Sequence, residues 1–124
     1  MSKILIVEDE LSIANFIADL FQMLGCETMV LTSGKKVLET VKEWKPDLIT
    51  LDIMIPPPDG LEVFAALKKD PETKSIPIFI VSAVTKSPEV ARAISRADAI
   101  FQKPIDTKYF VEQIHKILSK KNHH

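Results

Sequence analysis

Five side chains that could bind a metal ion or a phosphate group stand directly after short apolar runs. The acids are Glu8 and Asp9, which follow the run 3–7, and Asp52, which follows the run 47–51. Ser82 and Lys103 follow the runs 76–81 and 99–102. Ligands of open parallel sheets bind beyond the carboxyl ends of the strands. If the runs are strands, the spacing predicts that all five side chains meet at one edge.

Three neighbouring carboxylates repel one another, and a hard cation relieves that repulsion. Oxygen ligands suit Mg²⁺, which keeps several waters and uses one or two carboxylates. The carboxylate of Asp52 can act as a nucleophile that forms an acyl phosphate. Lys103 and Ser82 can then bind the phosphoryl oxygens, as phosphoryl transfer requires. The chemistry indicated is metal-assisted phosphorylation of Asp52.

Each of these residues also has an ordinary interpretation. An acidic pair can simply end a strand at water, and Asp52 can cap a turn. A lone serine usually bonds its own backbone, and Lys103 can be one solvated lysine among many. Taken together, these interpretations require several coincidences at one sheet edge, so the functional interpretation is favoured.

The elements that must position these side chains alternate along the chain. Strands are predicted at 3–7, 27–31, 47–51, 76–81 and 99–102. Helices are predicted at about 12–24, from a cap at Thr32 or Ser33 to about 44, at 61–69, from Ser87 to about 95, and after Asp106. Each strand is too apolar for a solvated face, which predicts a parallel sheet covered on both sides. With right-handed crossovers, the fold is a doubly wound α/β domain.

Length and composition indicate the number of domains and exclude several classes of function. The 124 residues suit one domain, expected at 1–120, with 121–124 a tail that suggests a purification tag. A net charge of −1 argues against binding nucleic acid or an anionic membrane. The apolar runs are too short to span a bilayer, and no cleavable signal is expected. Cys26 is the single cysteine, which excludes an internal disulfide and fits a reducing cytoplasm.

Four motifs together resemble the receiver domains of two-component response regulators. They are Glu8-Asp9, Leu51-Asp52-Ile53-Met54 before a proline-rich loop ending in Asp59-Gly60, Val81-Ser82-Ala83, and Lys103-Pro104. The resemblance covers about residues 3–120 and implies a flavodoxin-like sheet of order 2-1-3-4-5.

The resemblance also implies roles for single residues. Asp52 would accept a phosphoryl group from the phosphohistidine of a histidine kinase or a histidine phosphotransfer domain. Asp9, Asp52 and the backbone carbonyl of Met54 would bind Mg²⁺ directly, and Glu8 would bind it through water. Ser82 and Lys103 would hold the phosphoryl oxygens. The Lys103–Pro104 bond would be cis.

The sequence departs from the family pattern at several positions. Ile100 stands where an aromatic switch residue is usual, so signalling is expected to rely more on the loop after Ser82. Arg96 replaces a common glycine, which predicts either a strained backbone or a different helix end. Met54 and Val84 are apolar and cannot position an attacking water, which predicts slow self-dephosphorylation.

Output is expected from the surface of the fourth helix, fifth strand and fifth helix, which would bind a separate protein. Ala99, Tyr109 and Gln113 cannot form the ion pairs of a common receiver dimer, so we expect a monomer or a weak dimer. No effector domain follows, so the chain is expected to be a stand-alone receiver or one excised from a larger protein.

An alternative is a Mg²⁺-dependent phosphatase of related α/β fold that also uses an aspartyl nucleophile. Such enzymes carry a second acid two residues after the nucleophile, where this chain has Met54. Met54 cannot transfer a proton, which disfavours the alternative.

Overall fold

A five-stranded parallel sheet forms the centre of the molecule in the computed structural model, which describes residues 1–121. Its strands are β1 (Lys3–Val7), β2 (Glu27–Leu31), β3 (Leu48–Leu51), β4 (Ile78–Ser82) and β5 (Ala99–Gln102). All neighbours pair in parallel, in the order β2-β1-β3-β4-β5. The predicted doubly wound, flavodoxin-like sheet is confirmed.

Five helices connect and follow the strands. They are α1 (Leu11–Met23), α2 (Val37–Trp44), α3 (Gly60–Lys69), α4 (Pro88–Ala93) and α5 (Thr107–Lys121). Within residues 1–121, none of these helices is long and apolar enough to cross a membrane. Lys121 ends α5, and the rest of the predicted tail lies outside the described residues.

Two apolar layers lie on opposite faces of the sheet. Successive strand residues point to opposite faces, so in β1 Ile4 and Ile6 join one layer while Leu5 and Val7 join the other. The first layer packs under α1 and α5, and the second packs under α2 and α3. As a result β3 and β4 are fully buried, and β1 is buried from Ile4 to its carboxyl end at Val7.

The expectation that no strand has a solvated face is wrong for the two edge strands, β2 and β5. β2 is partly exposed along its length, and Ile100 and Gln102 of β5 are exposed. An edge strand has a neighbour on one side only, so apolar composition alone does not bury it. The fourth strand also begins at Ile78 instead of 76, after Pro77, which lacks the N–H that sheet pairing needs.

Helix starts are confirmed where a capping side chain precedes the first turn. Ser87 Oγ accepts a hydrogen bond from Val90 N–H (3.2 Å), and Asp106 Oδ1 accepts one from Tyr109 N–H (3.2 Å). The fourth helix ends at Ala93, earlier than predicted, and Arg96 does not adopt positive φ. Of the two alternatives for Arg96, the different helix end is therefore the one observed.

The predicted start of the second helix is wrong. The helix begins at Val37, and neither Thr32 nor Ser33 caps it. Gly34 packs against the proline-rich loop, where an added Cβ would lie 2.0 Å from the carbonyl oxygen of Pro58. This close approach keeps residues 32–36 in a loop, and the helix can begin only after it.

Candidate functional site

Hydrogen bonds of the sheet ladder continue one residue past the strands and bring the predicted side chains to one edge. Glu8 N–H donates to Leu31 carbonyl (3.0 Å), and Asp52 N–H donates to Val7 carbonyl (3.0 Å). Lys103 N–H donates to the carbonyl of Ser82 (3.0 Å). The backbones of four strands, β1, β3, β4 and β5, therefore position the acids, the hydroxyl and the ammonium before their side chains interact.

The ammonium of Lys103 joins two buried carboxylates. Its Nζ donates a hydrogen bond to Asp52 Oδ2 (2.9 Å) and lies 2.9 Å from Glu8 Oε1. The side chains of Glu8 and Asp52 are 1% and 3% exposed, and that of Lys103 is 12% exposed. A buried charge is stable only when it is paired, so this triad is a single electrostatic unit.

Backbone N–H groups orient the remaining carboxylate oxygens. Met54 N–H donates to Asp52 Oδ1 (3.0 Å), and Glu10 N–H donates to Glu8 Oε2 (3.2 Å). Asp52 therefore accepts a hydrogen bond at both oxygens, whereas Glu8 accepts one at Oε2 and has only the ion pair with Lys103 at Oε1. A preorganised carboxylate of this kind suits a nucleophile in phosphoryl transfer.

Burial and mutual contact perturb the titration of the triad. Burial, offset in part by Lys103 and increased by the charge of Asp52, raises the pKa of Glu8 from 4.5 to about 7. Burial alone would lower the pKa of Lys103, but its contacts with Glu8 and Asp52 outweigh that effect and raise the pKa above its ordinary value. Near neutral pH, Lys103 stays charged while Glu8 is close to its midpoint.

The acidic residues fit a hard divalent cation. Glu8, Asp9 and Asp52 each offer a carboxylate oxygen within 4.8 Å of the others, with Asp9 exposed and the other two buried. Glu8 Oε1 is buried, and although it lies 2.9 Å from Lys103 Nζ it accepts no hydrogen bond from any group within residues 1–121. A buried carboxylate oxygen without a hydrogen bond is a suitable ligand for a cation or for a cation-bound water.

Ser82 is fully buried at the end of β4, and its Oγ accepts a hydrogen bond from Val84 N–H (3.4 Å). In the same loop, Thr85 Oγ1 donates to Oε1 of Gln102 on β5 (2.7 Å). The structure therefore ties the loop after Ser82 to the edge strand next to Lys103.

Ile100 and Phe101 face opposite sides of β5, as the alternation of side chains along a strand requires. Ile100 is 39% exposed, whereas Phe101 is buried and packs on Phe79, Tyr109 and Phe110. Phe101 therefore belongs to the core and cannot take the place of the usual aromatic. The Lys103–Pro104 peptide bond is cis, as the resemblance implies.

Two residues near the site were given no role from the sequence, although Gly60 was part of a quoted motif. Glu10 Oε1 lies 3.5 Å from Lys103 Nζ, so three acids surround that ammonium. Gly60 packs so closely that an added Cβ would lie 2.2 Å from the carbonyl oxygen of Asp52. The consecutive acids Glu8-Asp9-Glu10 and the dipeptide Asp59-Gly60 were the available signals.

Comparisons with known proteins agree with this geometry. A family model described as the response regulator receiver domain matches residues 4–115. The polar-differentiation response regulator DivK of Brucella ovis is 36% identical over 113 residues, which are 90% of this chain and 92% of that protein.

Solved structures of receiver domains are also similar to this chain. The N-terminal domain of a response regulator receiver protein from Methanoculleus marisnigri is 31% identical, with a TM-score of 0.75 and coverage of 95% of this chain and 97% of that chain. The signal receiver domain of a signal transduction histidine kinase from Syntrophus aciditrophicus shares the fold, with a TM-score of 0.89 at 24% identity and coverage of 100% and 95%.

Proposed function

Because this chain belongs to the response regulator receiver domain family of phosphorelay signalling, we propose that Asp52 is its phosphate-accepting residue. The donor is the phosphohistidine of a histidine kinase or of a histidine phosphotransfer protein, and the reaction uses Mg²⁺. The product is this chain carrying an acyl phosphate on Asp52. The chain then hydrolyses that acyl phosphate slowly.

One observation carries the proposal. The buried carboxylate of Asp52 contacts Lys103 Nζ at 2.9 Å, and oxygens of Glu8 and Asp9 lie within 4.8 Å of it. A nucleophile, a cation site and a permanent positive charge thus meet at the carboxyl edge of a parallel sheet. Phosphoryl transfer needs all three, because charge on the transferred group must be neutralised while it is held in line.

The proposed reaction assigns a task to each side chain. An oxygen of Asp52 attacks phosphorus, the new P–O bond forms, and the P–N bond of phosphohistidine breaks. The imidazole leaves with that bond's electron pair. Lys103 then moves its ammonium onto a phosphoryl oxygen, and the hydroxyl of Ser82 donates to another after it turns from Val84 N–H.

Asp9, Asp52 and the carbonyl of Met54 would hold Mg²⁺ directly, and Glu8 would hold it through a water. A bound Mg²⁺ supplies positive charge to the phosphoryl oxygens. The water between the cation and Glu8 would donate to Glu8 Oε1, which accepts no hydrogen bond within the part of the chain that the structure describes. Without the cation, Glu8, Asp9 and Asp52 outweigh the single positive charge of Lys103. The two positive charges of Mg²⁺ would offset this excess and allow a phosphoryl group to bind.

The output surface is proposed to lie on α4, β5 and α5, where a separate protein binds. Ile100 of β5 and Tyr109 of α5 expose 39% and 44% of their surface there, and Val84, in the loop that leads to α4, exposes 38%. Their apolar character suits a protein partner better than nucleic acid. Sedimentation with and without fluoroberyllate should show a monomer or a weak dimer in both states.

The phosphatase alternative is not supported. The position of its second acid is taken by Met54, whose side chain is exposed and carries no titratable group. Hydrolysis of a general phosphate ester with repeated turnover is therefore not expected.

The test is labelling with acetyl phosphate and Mg²⁺, followed by intact-mass measurement. The wild-type chain should gain one phosphoryl group, and Asp52→Asn should gain none. Asp98→Asn, which removes an exposed acid ahead of β5, is the matched control and should be labelled normally. Undiminished labelling of Asp52→Asn would refute the assignment.

A further inference from the structure

Glu10 contacts the ammonium of Lys103 from the solvent side of the site. Its Oε1 lies 3.5 Å from Lys103 Nζ, and its side chain is 61% exposed. Glu8 and Asp52 contact the same ammonium from the buried side at 2.9 Å each. The ammonium of Lys103 therefore contacts the two buried carboxylates of Glu8 and Asp52 and the exposed carboxylate of Glu10. We call the solvent-facing side, where Glu10 lies, the entrance of the site.

The start of α1 does not explain why a glutamate stands at this position. Glu10 is the N-cap residue, and its carbonyl accepts hydrogen bonds from Ile13 and Ala14 N–H. Its side chain makes no capping hydrogen bond, although capping is the usual role of a polar side chain there. The carboxylate is directed to Lys103 instead, and it leaves the helix terminus without a side-chain cap.

We infer that Glu10 is a positioning residue that acts through Lys103 and slows phosphorylation of Asp52. This inference rests on the proposed function. The incoming phosphoryl group needs the ammonium, and a third carboxylate holds that ammonium toward the entrance. Release of Glu10 frees Lys103 to follow the phosphoryl oxygens. Glu10 thereby sets the rate at which the domain responds to a donor.

The size of the effect follows from the exposure of Glu10. Exposed ion pairs contribute little because water screens them, which corresponds to a change of about two- to fivefold in rate. The effect should decrease as salt is added, since the Debye length falls to about 3 Å at 1 M. A purely structural effect on α1 would not depend on salt in this way.

The experiment compares initial rates of Asp52 phosphorylation by acetyl phosphate at saturating Mg²⁺. Glu10→Gln removes the charge. Glu10→Asp keeps the charge, but its shorter side chain suits the α1 cap and does not reach Lys103. Both variants should react about two to five times faster than wild type at low salt and approach the wild-type rate at high salt. Glu39→Gln, the same substitution at an exposed glutamate in the first turn of α2, is the control and should react at the wild-type rate.

Three outcomes separate the possibilities. Wild-type rates in both Glu10 variants overturn the inference, while normal labelling leaves the proposed function intact. Acceleration in Glu10→Gln alone shows that charge at the entrance matters without the Lys103 contact, and it also overturns the positioning role. If Asp52 is not labelled in any variant, the proposed function itself is refuted.

Discussion

Replacing Lys103 by methionine removes the only cation that contacts Glu8 and Asp52 within the described residues 1–121, and the cost can be worked from the geometry. Each carboxylate lies 2.9 Å from Nζ. At an effective dielectric constant of about 20, a pair at that distance gains roughly 6 kcal/mol of Coulomb energy. Much of this is offset because burying the ammonium costs several kcal/mol.

Removal of one partner from a buried ion pair costs about 3–5 kcal/mol. We expect the lower end, about 3 kcal/mol at pH 8, because Lys103 is partly exposed. For a chain of this size that corresponds to a loss of roughly 10 °C in Tm. At pH 6 the loss should be smaller, since Glu8 has a raised pKa and can take up a proton.

The assay is thermal unfolding of Lys103→Met and wild type in EDTA and in Mg²⁺. A bound cation replaces the missing ammonium charge, so Mg²⁺ should raise the Tm of the variant more than that of wild type. Lys42→Met is the control, because Lys42 also pairs with an acid, Asp70, at 2.8 Å but on the surface. That variant should change Tm little and should respond to Mg²⁺ as wild type does.

An unchanged Tm of Lys103→Met in EDTA would show that the triad does not depend on the ammonium. An equal response of the variant and wild type to Mg²⁺ would show that the cation does not bind beside these carboxylates. Either result refutes the electrostatic argument.

Three further predictions concern the same region. Gly60→Ala should lower both Tm and the labelling rate of Asp52, because the new Cβ would lie 2.2 Å from a backbone oxygen; near-wild-type values for both would contradict the packing argument. Without divalent cation, stability should fall by up to about 3 kcal/mol as pH rises from 5 to 8, because the folded pKa of Glu8 is about 7 and its proton is lost across that range. Urea titrations should show that Glu8→Gln removes this slope, and a persisting slope would assign it to another group. Met54→Asn with Val84→Glu should shorten the lifetime of the acyl phosphate, since both positions are exposed near the site and can then orient water; an unchanged lifetime in a phosphate-release assay would count against it.

The strands, and the sheet edge that carries Asp52, were predictable because a buried strand and the charged residue that ends it are recognised from adjacent residues in the sequence. A fully buried strand such as β3 is mostly apolar, with Thr50 its one polar residue, and the charged residue that follows it, Asp52, lies at the sheet edge. Parallel pairing then brings Glu8 and Asp52 together without further information. The caps Ser87 and Asp106 were predictable for the same reason, since capping uses neighbours in sequence.

Features that depend on contacts between distant segments were not predictable. The start of α2 depends on Gly34 meeting a loop more than twenty residues away. The third acid on Lys103 was missed because a glutamate before a helix suggests a surface charge or a cap. Exposure of β2 and β5 depends on their place at the edges, which composition does not encode.

The contact between Gly34 and Pro58 makes two separate stretches of the chain interdependent in evolution. A side chain at position 34 would displace the carbonyl of Pro58, which is backbone and cannot move aside as a rotamer does. In a family alignment, glycine at this position and the triple-proline loop should therefore occur together. A homologue that keeps the prolines but has lost the glycine must route one of the two loops differently.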